Sequence, residues 1–128
     1  MALDKKNKRN FITSVKDCIN GLNFIMLNEN NFKREGVLGI LALIASFVLE
    51  ISKIEFIIVL LVIALVFVSE MINTAIEKTV DLYTKEYNEI AKIAKDVSAC
   101  AVFTMCIFAL IIGIIIFVPK IIDLIGRL

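Results

Sequence analysis

Glu70, Asn73, Glu77 and Asp81 stand at three- and four-residue intervals in SEMINTAIEKTVD, residues Ser69 to Asp81, at the end of a long apolar run. At about 100° per residue, a helix gathers these four within about 80° of arc and turns Met71, Ile72, Ala75, Ile76, Val80 and Leu82 in other directions. One face of such a helix is acidic. An ionisable group costs at least about 2.5–3.5 kcal/mol at the bilayer centre and less near the interface, so in a membrane helix it faces a cavity, a partner or an ion. That argument weighs most for Glu70, nearest the apolar run. It weighs less for Glu77 and least for Asp81, which suits a solvated helix end.

A second charged cluster, Lys92, Lys95 and Asp96, opens the next helical stretch and can turn back against the acidic face. Carboxylates for Mg²⁺, a lysine for phosphate oxygens and a carboxylate to accept a hydroxyl proton are the parts that phosphoryl transfer requires. The chain has no GxxxxGK[ST] or GxGxxG loop, so helices alone must build any nucleotide site. It has no histidine, which excludes Ser-His-Asp and Cys-His catalysis, haem ligation by histidine and most catalytic zinc sites. Cys18, Cys100 and Cys106 show no metal-binding spacing and read as small packing residues.

The elements that must position these groups are membrane helices. Of 128 residues, 59% are hydrophobic, and the mean hydropathy of +0.89 lies outside the range of soluble domains. Charges are absent from Gly36 to Leu49, Phe56 to Ser69 and Val97 to Pro119. Only the third run reaches the roughly 20 residues that cross about 30 Å of hydrocarbon. The first must begin near Phe32, with Lys33 and Arg34 snorkelling, and the second must extend to about Ala75, which draws Glu70 and Asn73 below the surface.

Residues 1–9 read as a basic leader, without the apolar core and cleavage site of a signal peptide. From Phe11, the residues Val15, Cys18, Ile19, Leu22, Ile25 and Met26 share one arc of a helix over residues 11–28, suited to the membrane interface. NENN, Asn28 to Asn31, predicts a turn. The expected fold is a single all-α integral-membrane domain, with an N-terminal amphipathic surface helix and three transmembrane helices at about 32–51, 56–83 and 95–118. A polar connection of about ten residues precedes the last helix, and Pro119 ends it. Seven Lys or Arg precede Gly36 and four lie from Lys78 to Lys95, against Lys53 alone between the first two spans. This places the N-terminus and the second connection on the cytoplasmic side and EISKIE outside.

EMINTAIEKTVD followed by EYNEIAKIAKD resembles the small prokaryotic diacylglycerol kinase and undecaprenol kinase family, whose signature reads E-x-x-N-[ST]-[SA]-[LIV]-E-x-x-[VL]-D. The resemblance spans roughly residues 10–118. It implies a multi-pass homotrimer in the cytoplasmic membrane, with Mg-ATP bound at the cytoplasmic edge, a lipid alcohol as acceptor and no nucleic-acid partner. Glu70 would then be the general base at the lipid hydroxyl, with Asn73 beside the substrate. Glu29 and Glu77 would hold Mg²⁺, Lys95 and Asp96 would bind the ATP phosphates, and Glu86, Tyr87 and Asn88 would touch the nucleotide. Asp81 is a further signature position. Where many members carry arginine and tyrosine near the nucleotide, this chain has Asn10 and Asp17, with Arg9 a possible substitute for the first; Asn88 stands where histidine is common.

The stretches NENNFKREG and EYNEI look more like the diacylglycerol type than the undecaprenol type. The acceptor expected from them is diacylglycerol, giving phosphatidic acid, with undecaprenol as the alternative. An ion-conducting or transport oligomer would explain the acidic face but leave Lys95, Asp96, Glu29 and the surface helix without roles. A regulatory membrane protein without activity is the third class, and ATP turnover separates all three.

Overall fold

The computed structural model describes residues 10–127, and the basic leader with Arg9 lies outside them. Within the described residues the protein is entirely helical: α1 (Phe11–Asn28), α2 (Asn30–Val48), α3 (Lys53–Tyr83) and α4 (Glu89–Ile125). Two of these, α3 and α4, are long and apolar enough to cross a membrane. With 31 and 37 residues, they measure about 46 and 55 Å at 1.5 Å per residue and exceed the hydrocarbon thickness. Their surplus carries the charged residues at the α3–α4 connection.

The predicted turn at NENN is narrower than four residues. Glu29 alone leaves helical geometry, at φ −106° and ψ 111°, ending α1 and starting α2. The last carbonyls of a helix lack intrahelical donors, and here polar side chains supply some. Asn28 Nδ2 donates to the Phe24 carbonyl at 2.7 Å, and Lys33 Nζ to that of Leu27 at 3.0 Å. These bonds fix a sharp joint with little chain.

Helix α2 runs antiparallel to α3. Phe32 packs against Phe67 in a tilted pair with ring centroids 4.8 Å apart, and Phe47 against Phe56 likewise at 5.5 Å. Between them Gly39 admits Ile63, whose side chain would lie 3.4 Å from a Cβ added there. At the end of α2, Glu50 N–H donates to Phe47 O and Ile51 N–H to Ser46 O, both at 3.3 Å. This is the paired closure that usually carries glycine at its left-handed position, yet Glu50 takes φ 47°. A capping box then starts α3: Ser52 Oγ accepts from the Glu55 amide at 3.2 Å, and Glu55 Oε2 accepts from the Ser52 amide at 2.7 Å.

The α3–α4 connection is five residues, 84–88, rather than about ten, because EYNEI already contains the start of α4. Asn88 caps that start through its side-chain oxygen, which accepts from Ala91 N–H at 3.0 Å. The charged turns with Lys92, Lys95 and Asp96 are therefore helical. Pro119 does not end α4, which continues to Ile125. Proline removes one amide donor and crowds the preceding turn, but neither effect forbids further turns, and the apolar residues beyond it continue the helix. Lys120 Nζ reaches Glu55 Oε2 at 3.8 Å, tying this extension to the start of α3.

Candidate active site

The acidic face of α3 turns inward, toward α2 and α4. Glu70 is 3% exposed, and Thr74, one turn on, is also buried. Asn73 Nδ2 donates to Glu77 Oε1 at 3.1 Å, and the Ser98 hydroxyl of α4 donates to Asn73 Oδ1 at 2.6 Å. The amide expected beside the substrate therefore has both ends engaged with protein. Further along, Lys95 Nζ meets Asp81 Oδ1 at 2.5 Å, linking the two helices. Their side chains remain 39% and 48% exposed, so solvent and a ligand can reach the pair. Lys92 pairs with Asp96 one turn apart on α4.

Glu29 reaches the same region from the α1–α2 joint. Lys78 Nζ approaches its Oε1 at 3.8 Å and lies 5.8 Å from the Phe24 ring centroid. Since Lys78 follows Glu77, the joint brings Glu29 to the turn of α3 that carries the other expected metal carboxylate. Glu86 and Tyr87 lie exposed in the connection, where the Glu86 amide donates to Thr84 Oγ1 at 3.1 Å. Thus Asn73, Glu77, Asp81 and Lys95 follow one another along the α3–α4 interface toward its connection, Glu29 comes to the Lys78 turn, Glu70 lies buried about two turns before Glu77 on the same face, and Asp96, Glu86, Tyr87 and Asn88 stand around the polar margin.

Sequence reasoning missed Glu35. Its carboxyl contacts that of Glu70, its Oε1 accepts from Cys106 Sγ at 3.6 Å, and its Oε2 is buried without a hydrogen-bond partner. Glu35 also stands at the polar end of an apolar groove of about 470 Å³ between α2, α3 and α4, lined by Gly39, Val59, Val66, Phe67 and Ala109 among others. The signal was the same as for Glu70, a carboxylate bordering an apolar run. Its neighbours Lys33 and Arg34 made it look like part of a solvated flank. Ser98 was missed for a different reason, since a lone serine in an apolar helix carries no pattern until its partner across the interface is known.

A buried carboxylate, further acidic groups and a lysine-bearing helix, joined at one end of two apolar helices long enough to cross a bilayer, define a helical protein with a polar site at the end of its candidate membrane spans. The comparison with protein families narrows this class. A model of the prokaryotic diacylglycerol kinase family matches residues 16–117, and the chain belongs to that family of membrane lipid kinases. It is 38% identical to an undecaprenol kinase of Bacillus subtilis over 122 residues, covering 92% of this chain and 99% of that one. It is 32% identical to a diacylglycerol kinase of Synechocystis over 116 residues, covering 90% and 66%. With a diacylglycerol kinase of Escherichia coli K12 it shares 35% identity over 91 residues, covering 71% and 75%.

Proposed function

We propose that this lipid kinase phosphorylates undecaprenol with ATP at the cytoplasmic face of the membrane, as a homotrimer whose protomers each have a surface helix α1 and three spans, α2 to α4. The observation that carries the acceptor is the 38% identity to an undecaprenol kinase along 99% of its length. The two stretches that favoured diacylglycerol have structural duties here. Lys33 of NENNFKREG bonds across the α1–α2 joint to the Leu27 carbonyl, Glu29 pairs with Lys78 of α3, and Asn88 of EYNEI caps α4. Likeness at Glu29 and Lys33 follows from the fold they maintain, and Asn88 departs from the histidine common there, so these positions carry little information about the acceptor.

On this reading the lipid hydroxyl reaches Glu70, which accepts its proton as the oxygen bonds to the γ-phosphorus and ADP departs. Burial of Glu70 beside the apolar groove keeps bulk water from competing as acceptor. Glu29 and Glu77 would hold Mg²⁺. Among the described residues no three His, Cys, Asp or Glu side chains gather; Mg²⁺ commonly binds through one or two carboxylates together with substrate phosphates and water, and one or two carboxylates are what Glu29 and Glu77 would offer. The bound ion would supply charge neutralisation at the phosphates. Lys95 would exchange part of its contact with Asp81 for phosphate oxygens, and Asp96 would lie beside it. Positioning and charge compensation then lower the barrier without a covalent enzyme intermediate.

The test is a side-by-side assay of purified protein in mixed micelles with ATP, Mg²⁺ and either undecaprenol or dioleoylglycerol at matched mole fractions. The expected outcome is a kcat/KM for undecaprenol at least about tenfold higher, about 1.4 kcal/mol of transition-state preference. The reverse ratio would assign diacylglycerol as acceptor and phosphatidic acid as product. ATP turnover absent with both lipids would remove the kinase reading.

A further inference from the structure

We propose that Ser98 is a positioning residue for Glu77, acting through the Asn73 amide. The inference rests on the reading of Glu77 as a metal-binding carboxylate. An ionised carboxylate only accepts hydrogen bonds, so the 3.1 Å contact with Glu77 Oε1 requires Asn73 to present its NH₂ group along α3. Asn73 Oδ1 then faces α4 and needs a donor there. Ser98 supplies one at 2.6 Å from a buried position, 7% exposed, while Val97, Ala99 and Cys100 beside it are exposed.

The Ser98 hydroxyl has one proton and two acceptors within reach, Asn73 Oδ1 and the Lys95 carbonyl at 2.9 Å. The shorter contact crosses between helices and completes the sequence Ser98, Asn73, Glu77, in which each donor points toward the carboxylate. Without the hydroxyl, Asn73 Oδ1 loses its donor from α4. Rotating the amide to compensate would set an oxygen against the Glu77 carboxylate. Either outcome loosens the orientation of Glu77, and ligand orientation by such outer partners affects metal affinity strongly.

The test compares the full-length protein in detergent with Ser98→Ala and Ser98→Thr, reading Mn²⁺ affinity by electron paramagnetic resonance with a non-hydrolysable ATP analogue present. The Mg²⁺ dependence of turnover is measured in parallel. Ser98→Ala should weaken Mn²⁺ binding about tenfold and raise half-saturating Mg²⁺ by a similar factor, as outer partners of metal ligands typically do, with KM for the lipid unchanged. Ser98→Thr, which keeps the hydroxyl, should restore affinity. In an Asn73→Ala background, Ser98→Ala should add nothing. Should Ser98→Ala not fold, Ser98→Cys serves, with an intermediate loss expected from its weaker donor. Unchanged Mn²⁺ affinity in Ser98→Ala, or an equal loss in the Asn73→Ala background, would overturn the proposal. Glu77→Gln is the control for the underlying reading: if it binds Mn²⁺ as the parent does, the metal assignment itself fails.

Discussion

Two carboxyl groups from different helices, Glu35 and Glu70, face one another, Glu35 at the edge of an apolar groove. If both are charged they repel, and if one is neutral the protein must hold a proton there; each state has a cost. Glu35→Gln would replace one acid with an amide able to donate to Glu70. The expected result is a gain of up to about 1.5–3 kcal/mol, the scale of a hydrogen bond to a charged group, read as a higher unfolding temperature in detergent. Glu70→Gln tests the reaction itself. On the proposed reaction it deletes a proton acceptor and no phosphate contact, so kcat should fall about 10²- to 10⁴-fold while calorimetry finds ATP binding little changed. Turnover near the parent's would remove Glu70 as base. Periodicity alone put Glu70, Asn73, Glu77 and Asp81 on one face, and the border of an apolar run marked Glu35, whereas the pairing of Glu35 with Glu70 and of Ser98 with Asn73 required knowledge of which helices meet.

At the scale of elements, short joints hold the helices in register, and their chemistry was only partly legible. The S-x-x-E of Ser52 to Glu55 is a visible helix start, and the structure forms it as a reciprocal capping box. Ser52→Ala should cost about 1 kcal/mol, as the loss of such caps typically does. The joint just before it carries no such sign, because a glutamate occupies the left-handed position where glycine is usual. A left-handed conformation costs an L-residue roughly 1–2 kcal/mol, so Glu50→Gly should raise the unfolding temperature despite the added freedom of the unfolded chain, and an unchanged or lower value would show that the Glu50 side chain contributes at this joint. Pro119 misleads in the other direction: read as a stop, it lies inside α4, because a proline removes one donor without abolishing the apolar pattern that follows.

The whole molecule exposes far more apolar surface than one copy can cover, and the most hydropathic windows of α3 and α4 are only 11% buried. Phe103, Leu110 and Ile115 of α4 and Ile57 and Leu61 of α3 face outward, which suits lipid or other copies of the chain. The shorter α2 carries only thirteen residues from Gly36 to Val48 without charge, about 20 Å of helix, so spanning requires its N-terminal turn, with Lys33, Arg34 and Glu35, to sit at the interface. The antiparallel order of α2, α3 and α4 puts the α2–α3 joint at the opposite end from Glu29 and Lys95, and the basic residues cluster at the latter end, which favours the cytoplasm. A cysteine scan decides the orientation in a background with Cys18, Cys100 and Cys106 replaced. Lys53 and Lys85 are the positions to use, since both are exposed, whereas Ser52 and Asn88 would disturb helix caps. Lys53→Cys should react with an impermeant thiol reagent in intact cells and Lys85→Cys only after lysis. The reverse pattern would turn Glu29, Glu77 and Lys95 away from cytosolic ATP and overturn the proposed reaction.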